Sequence, residues 1–198
     1  MSKTLTIAGI DPSLTGTGLV AIHPKLPRPC IRKLLKPSKR EHGWDGSDDH
    51  RLDIMYTSLR DWLKAVNPTL VVIEGYAFAS RFSRAHALGE LGGIFRLVMY
   101  RMGIPYAVVP PKSLKRFVLG PRASNKKDAM IKGVDSRWGV RFEVSDLADA
   151  YGLARIGCAL YDKSITATDA EALNGVDLSA ASGLPLLNSG YCKSKAKR

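Results

Sequence analysis

The sequence predicts a single α/β domain, and three observations carry that prediction. Residues 4–10 (TLTIAGI) form a β-rich run that ends at Asp11-Pro12. Residues 69–73 (TLVVI) are continuously apolar, as a strand buried on both faces would be. Between and after these runs, apolar residues recur at helical spacing. With 198 residues, of which 45% are hydrophobic, the chain can build one real core and has little room for two.

The first strand, 4–10, runs into a turn at Asp11-Pro12. A second strand over 17–23 (TGLVAIH) follows the Gly-containing turn, and a weaker third lies near 30–35, giving an antiparallel meander. Residues 36–50 are polar and read as irregular. Asp48 or Asp49 caps a helix over 49–66, in which Leu52, Met55, Leu59, Trp62 and Leu63 share a face. Asn67-Pro68 stops it.

A long helix over 82–102 carries Leu88, Leu91, Ile94, Phe95, Val98 and Met102. Gly89, Gly92 and Gly93 are poor helix formers, but small residues permit close approach to the sheet or to a second subunit. Residues 105–109 (PYAVV) form another strand. Pro110-Pro111 leads into a helix over 112–119, a basic connection runs from Gly120 to Lys127, and a further helix covers 125–138. The last helix spans 145–161, with Ser145 as its N-cap. The folded domain is expected to cover 1–162. Residues 163–198, rich in Ala, Ser and Gly and ending in KSKAKR, are expected to form a flexible basic tail.

Lys and Arg number 30 against 18 acids, a formal net charge of +12 that favours polyanionic partners such as nucleic acid. Cys30, Cys158 and Cys192 are scattered, with neither a C-x-x-C pair nor zinc spacing, so free thiols in a reducing compartment are expected. No cleavable leader or membrane span is evident, which points to the cytoplasm, or the host cytoplasm for a viral protein.

Four acids stand out. Asp11 ends the first strand, and Glu74 directly follows the apolar run VVI. Asp146 and Asp149 are spaced i, i+3 on one helix face, in what reads as its first turn. Each alone has an ordinary explanation: a turn, a strand end, a helix start. All four at strand or helix ends point to a divalent-cation site, because like charges placed together need a cation and oxygen donors suit Mg²⁺. Such a site can hydrolyse phosphodiesters. Asp48, Asp49 and His50 also cluster, but helix capping explains them better. His23, His42 and His86 have no matching ligands and receive no role.

GIDPSLTGTG at 9–18, VIEGYAF at 72–78 and DLADAYGLA at 146–154 resemble the three acidic motifs of the RuvC family of Holliday-junction resolvases, in the same order and at similar spacing. PPKSLKRFVLGPRASNKKDAM at 110–130 is similar to that family's basic stretch between its second and third motifs. The likeness covers roughly residues 4–160. Ser13 stands where the family often has Gly, and Gly75 where it has a longer side chain.

The resemblance implies a ribonuclease H-like fold, a mixed five-stranded sheet flanked by helices, in a homodimer. It implies that Asp11, Glu74, Asp146 and Asp149 bind Mg²⁺, with Mn²⁺ as a substitute. The activity implied is paired nicking of four-way DNA junctions, leaving 5′-phosphate and 3′-hydroxyl ends. Lys115 and one of Lys126 or Lys127 (with Lys127 preferred as a catalytic cation) are implied near the scissile phosphate. Tyr76 and Phe78 both qualify as the aromatic residue that stacks at the junction. Arg81, Arg84, Lys112, Lys115, Arg116, Arg122, Lys126 and Lys127 are candidate backbone contacts. The short basic chain fits viral members of the family. Three alternatives share these features: a nuclease for forks, flaps or hybrids, a non-catalytic junction-binding dimer, and an ATP-binding protein suggested by the hairpin GIDPSLTGTG.

Overall fold

The structure is a computed structural model of the 198-residue chain, and it describes residues 5–25, 29–75, 82–121, 128–162, 166–173, 175–181 and 184. Five strands form one mixed sheet in the order β3-β2-β1-β4-β5. β1 (Ile7–Asp11), β2 (Thr17–Ile22) and β3 (Pro29–Leu35) form the expected antiparallel meander. β4 (Leu70–Glu74) and β5 (Tyr106–Val109) extend it in parallel, β4 pairing with β1 and β5 with β4.

Strand alternation divides the core into two layers. Ala8, Ile10, Leu19, Ala21, Val71 and Ile73 face one side. There they meet Met55, Leu59, Trp62 and Leu63 of α2 (Asp48–Val66) and Leu91, Phe95, Val98 and Met99 of α3 (Phe82–Arg101). Ile7, Val20, Ile22, Leu70, Val72, Ala107 and Val109 face the other side. They pack on α4 (Pro111–Leu119), α5 (Ala129–Trp138) and α6 (Ser145–Asp162). Tyr151 of α6 is fully buried there against Trp138 and Phe142.

Several local expectations change. A short helix, α1 (Lys39–His42), interrupts the segment read as irregular. The Ser38 hydroxyl accepts from the Glu41 amide at its start, and Gly43 closes it at φ 65°. The N-cap of α2 is Ser47, whose side chain accepts from the His50 amide, rather than Asp48 or Asp49. Those two aspartates lie in the first turn, where the helix dipole favours them. Ser145 belongs to the first turn of α6 instead of preceding it, and α5 begins at Ala129 rather than 125.

The expected tail is the largest change. Within 163–198, α7 (Ala167–Ala172) and a 3-10 turn over Ser179–Ala181 are folded, and Ala172, Leu173 and Ala181 join the core. Val108 and Asp177 exchange two backbone hydrogen bonds of 2.9 Å, so this segment covers part of the edge of β5. Asp169 accepts from Arg137 at 2.7 Å, and Glu171 from Arg116. The folded unit therefore extends past residue 162, because apolar residues spaced through an Ala-rich stretch find a sheet edge to cover. Residues 185–198 lie outside the described residues. Among the described residues, no helix is long and apolar enough to cross a membrane.

Candidate active site

The site follows from strand parity. Ile7, Gly9 and Asp11 point to the α6 side of the sheet, as do Leu70, Val72 and Glu74. β1 and β4 are parallel neighbours with Ile10 opposite Ile73, so Asp11 and Glu74 end adjacent strands on the same face. This is the carboxyl end of the parallel strands, where open α/β sheets commonly place their sites.

α6 brings the other two acids. Its sheet-facing stripe reads Asp146, Asp149/Ala150, Leu153/Ala154, Gly157, so the acids head a row of small residues. The approach reaches backbone contact. A Cβ added at Gly9 would stand 1.9 Å from the Ala150 carbonyl oxygen, and one at Gly18 would stand 2.0 Å from that of Asp146. Gly18 is the register partner of Asp11. Thus Asp146 passes directly over the strand pair that holds Asp11. Asp149 lies one turn further along, since only Asp146 falls in the first turn of the helix.

The four acids interact electrically. Asp11 is buried, at 7% exposure. Its pKa is held well above the ordinary carboxylate range, chiefly by burial and then by the charges of Glu74 and Asp149. The carboxyl groups of Asp11 and Glu74 are hydrogen-bond partners, a pairing that raises Asp11 and lowers Glu74, and Asp146 adds a smaller repulsion on Asp11. Burial raises Glu74, partly offset by that hydrogen bond and by Lys115. Asp149 is pushed up to about 7, first by burial, then by Glu74 and Asp146, against an opposing Lys115. Burial also raises Asp146, opposed by Lys36.

The donor chemistry fits a divalent cation: four carboxylates supply hard oxygen ligands whose repulsion an ion would relieve. Among the described residues, no three His, Cys, Asp or Glu side chains already form a finished ligand group. The acids meet as a charge cluster, not as a preformed cage.

The basic candidates divide. Lys115, on α4, acts electrostatically on Glu74 and Asp149. Lys112 is exposed on the same helix. Arg116 pairs instead with Glu171 of α7. Tyr76, Phe78, Arg81, Arg122, Lys126, Lys127 and the side chain of Arg84 lie outside the described residues. His23, His42 and His50 accept hydrogen bonds from nearby backbone amides in turns and helix starts.

Two residues near the acids were not singled out from sequence. Lys36 acts on Asp146, and Arg96 of α3 lines a small cleft with Ile73, Glu74, Gly75, Gly92 and Val108. Lys36 sits in a polar stretch with no periodicity. Arg96 belongs to a helical pattern whose polar positions look alike.

Comparison with known proteins agrees with this geometry. The family described as "Crossover junction endodeoxyribonuclease RuvC" matches residues 7–154. A protein of that name from Pseudarthrobacter chlorophenolicus is 29% identical over 153 residues, covering 76% of this chain and 78% of the relative. Its namesake from Brachyspira hyodysenteriae is 28% identical over 146 residues, covering 74% and 89%. The fold matches T. thermophilus RuvC in complex with Holliday junction substrate, with TM-score 0.63 and 21% identity over 78% of this chain and 94% of that one. It also matches the yeast mitochondrial Holliday junction resolvase, with TM-score 0.54 and 14% identity over 77% of each. These likenesses identify the sheet as ribonuclease H-like. With three-quarters of its length matched and its acids gathered at one sheet end, the chain belongs to the RuvC family of crossover junction endodeoxyribonucleases.

Proposed function

We propose that this protein resolves four-way DNA junctions by paired, symmetric, metal-dependent nicks, with Mg²⁺ as the working ion and Mn²⁺ able to replace it. The observation that carries the proposal is the meeting of Asp11, Glu74, Asp146 and Asp149 at the carboxyl ends of β1 and β4.

In this reading the four carboxylates hold the metal. When bound, it lowers the pKa of a water and stabilises charge on the departing oxygen. The chain's own residues do the rest. Asp11 and Asp149, both raised by burial and by neighbouring acids, would hold metal in their ionised forms together with Glu74 and Asp146. Lys115, already close enough to act on Glu74 and Asp149, stabilises charge that develops on the phosphate. In-line attack leaves 5′-phosphate and 3′-hydroxyl ends. Lys127 joins Lys115 as a catalytic cation. Lys112, Lys126, Arg122, Arg81 and Arg84 hold the backbone, and Tyr76 or Phe78 stacks on an unpaired base.

Symmetric cutting needs two active sites, and α3 offers a surface for pairing. Gly89, Gly93, Leu97 and Tyr100 lie along one helix face. Added Cβ atoms at the two glycines would meet nothing within 4 Å, while Leu97 is 42% exposed and Tyr100 80%. We assign this stripe to a homodimer.

The test is cleavage of a mobile synthetic four-way junction with Mg²⁺, with Mn²⁺ and with chelator, mapping both nicks. Symmetric nicks that vanish with chelator are expected. Equal cutting of forks, flaps or plain duplex points to a broader branched-DNA nuclease, and junction binding with no cleavage under any metal points to a non-catalytic binder.

A further inference from the structure

Lys36 follows directly on β3, one residue beyond the Thr17–Leu35 pair, so it stands opposite Gly16 at the β1–β2 hairpin. Its stem lies across that glycine: a Cβ at Gly16 would be 3.2 Å from Lys36 Cε and 3.6 Å from Cγ. Two residues on, Gly18 lies beneath the Asp146 backbone. The ammonium group therefore sits on the Asp146 edge of the acid cluster. Lys115 serves a different part of it, acting on Glu74 and Asp149. Lys36 is exposed, and the exposed Lys39 and Arg40 of α1 follow within one helical turn.

A positive charge beside a dication site works against metal binding, by Coulomb repulsion. Such a charge is useful where a polyanion must lie against the same site, and a four-carbon stem lets the ammonium move from carboxylate to phosphate. We propose that Lys36 binds a backbone phosphate of the DNA strand at the Asp146 rim of the active site, with Lys39 and Arg40 continuing the track along the surface of α1. This rests on the nuclease reading above and adds a DNA contact within a segment that sequence patterns leave featureless.

The full-length protein tests it, with K36A, K36Q, K36R and the double variant K39A/R40A. Junction affinity is measured without divalent metal across a salt series, and single-turnover cleavage with Mg²⁺ across protein concentrations. K36A and K36Q are expected to weaken binding about 5- to 10-fold and to reduce the slope of log affinity against log salt by about one. The protein concentration giving half-maximal cleavage should rise in step with the loss of affinity, and K36R should restore both readouts, because a guanidinium also holds phosphate. The double variant should weaken binding and lower the slope as well. Unchanged affinity and salt slope in both K36A and K36Q would overturn the inference. So would a change confined to the metal concentration needed for cleavage, which would make Lys36 merely a neutraliser of Asp146. If the wild-type protein binds junctions but never cuts them, the nuclease reading fails while the binding comparison still judges Lys36.

Discussion

A side-chain carbon added at Gly9 or Gly18 would collide with the backbone of α6, whereas one added at Gly89 or Gly93 would meet nothing within 4 Å. The first pair is a condition of the active site. β1 and β2 carry glycine where α6 crosses, and the helix comes close enough to bring Asp146 and Asp149 to Asp11. The second pair leaves an open stripe on α3, next to exposed Leu97 and Tyr100. Glycine in a helix interior costs about 0.5–1 kcal/mol relative to Ala, so an empty stripe of this kind is a cost that a docked partner would offset. One residue type thus marks a contact made within the subunit and, on α3, the surface proposed for pairing.

The sharpest way to probe the filled side is its chemistry. If the acids hold metal as proposed, Asp11→Asn should lower junction cleavage more than about 100-fold. Junction binding should persist in a mobility-shift assay. Normal cutting by this variant would remove Asp11 from the metal site.

Next comes the packing itself. Gly9→Val should destabilise the fold by about 3 kcal/mol, because strand and helix backbone cannot both stay in place. Thermal melting should show this, with loss of cleavage even in the fraction that remains folded. A variant as stable as the wild type would mean that α6 can stand off the sheet without consequence.

The acids also set a pH dependence. The pKa of Asp149 rises from 3.8 to about 7 on folding. Between those values the folded state holds more protons than the unfolded state, so the Asp149 contribution to metal-free stability should fall as pH rises from about 4 to about 7. Divalent metal should reverse the trend, because it binds the ionised acids. Metal affinity should climb with pH through about 7, by about tenfold per pH unit for each acid that must release a proton. Calorimetric titration at several pH values reads this, and a flat profile would show that Asp149 is not a ligand.

The open stripe should respond in the opposite sense. Leu97→Glu should shift the protein toward monomer by light scattering and remove the pairing of nicks. Gly89→Ala, the smallest effect, should raise the melting stability of the isolated subunit by about 0.5 kcal/mol from helix propensity alone. If Gly89→Ala instead destabilises the protein, the face is already occupied.

Much of this was legible in the residues. TLTIAGI and TLVVI announced strands because a short β-rich run ending at a turn, and a short continuous apolar run, both suit a buried sheet. Asp11 and Glu74 stood out because a carboxylate directly after such a run has to emerge at the sheet's end. The i, i+3 spacing of Asp146 and Asp149 placed them on one face of a helix. Less legible was 163–198, where Leu173 and Ala181 are too sparse for a periodic signal and gain meaning only against the uncovered edge of β5. Arg116 looked like a free phosphate ligand, and its pairing with Glu171 depends on a segment 55 residues away.

By itself, then, the sequence determined which residues bury and which strands end in acids, because hydrophobic periodicity and side-chain chemistry act locally. Only the tertiary structure decided that four acids from three distant segments share one charge field, that Lys36 stands at its rim, and that Gly9 and Gly18 admit α6. These depend on strand order, on the parity of parallel neighbours and on backbone approaching backbone, and none of the three is written in any short stretch of the chain.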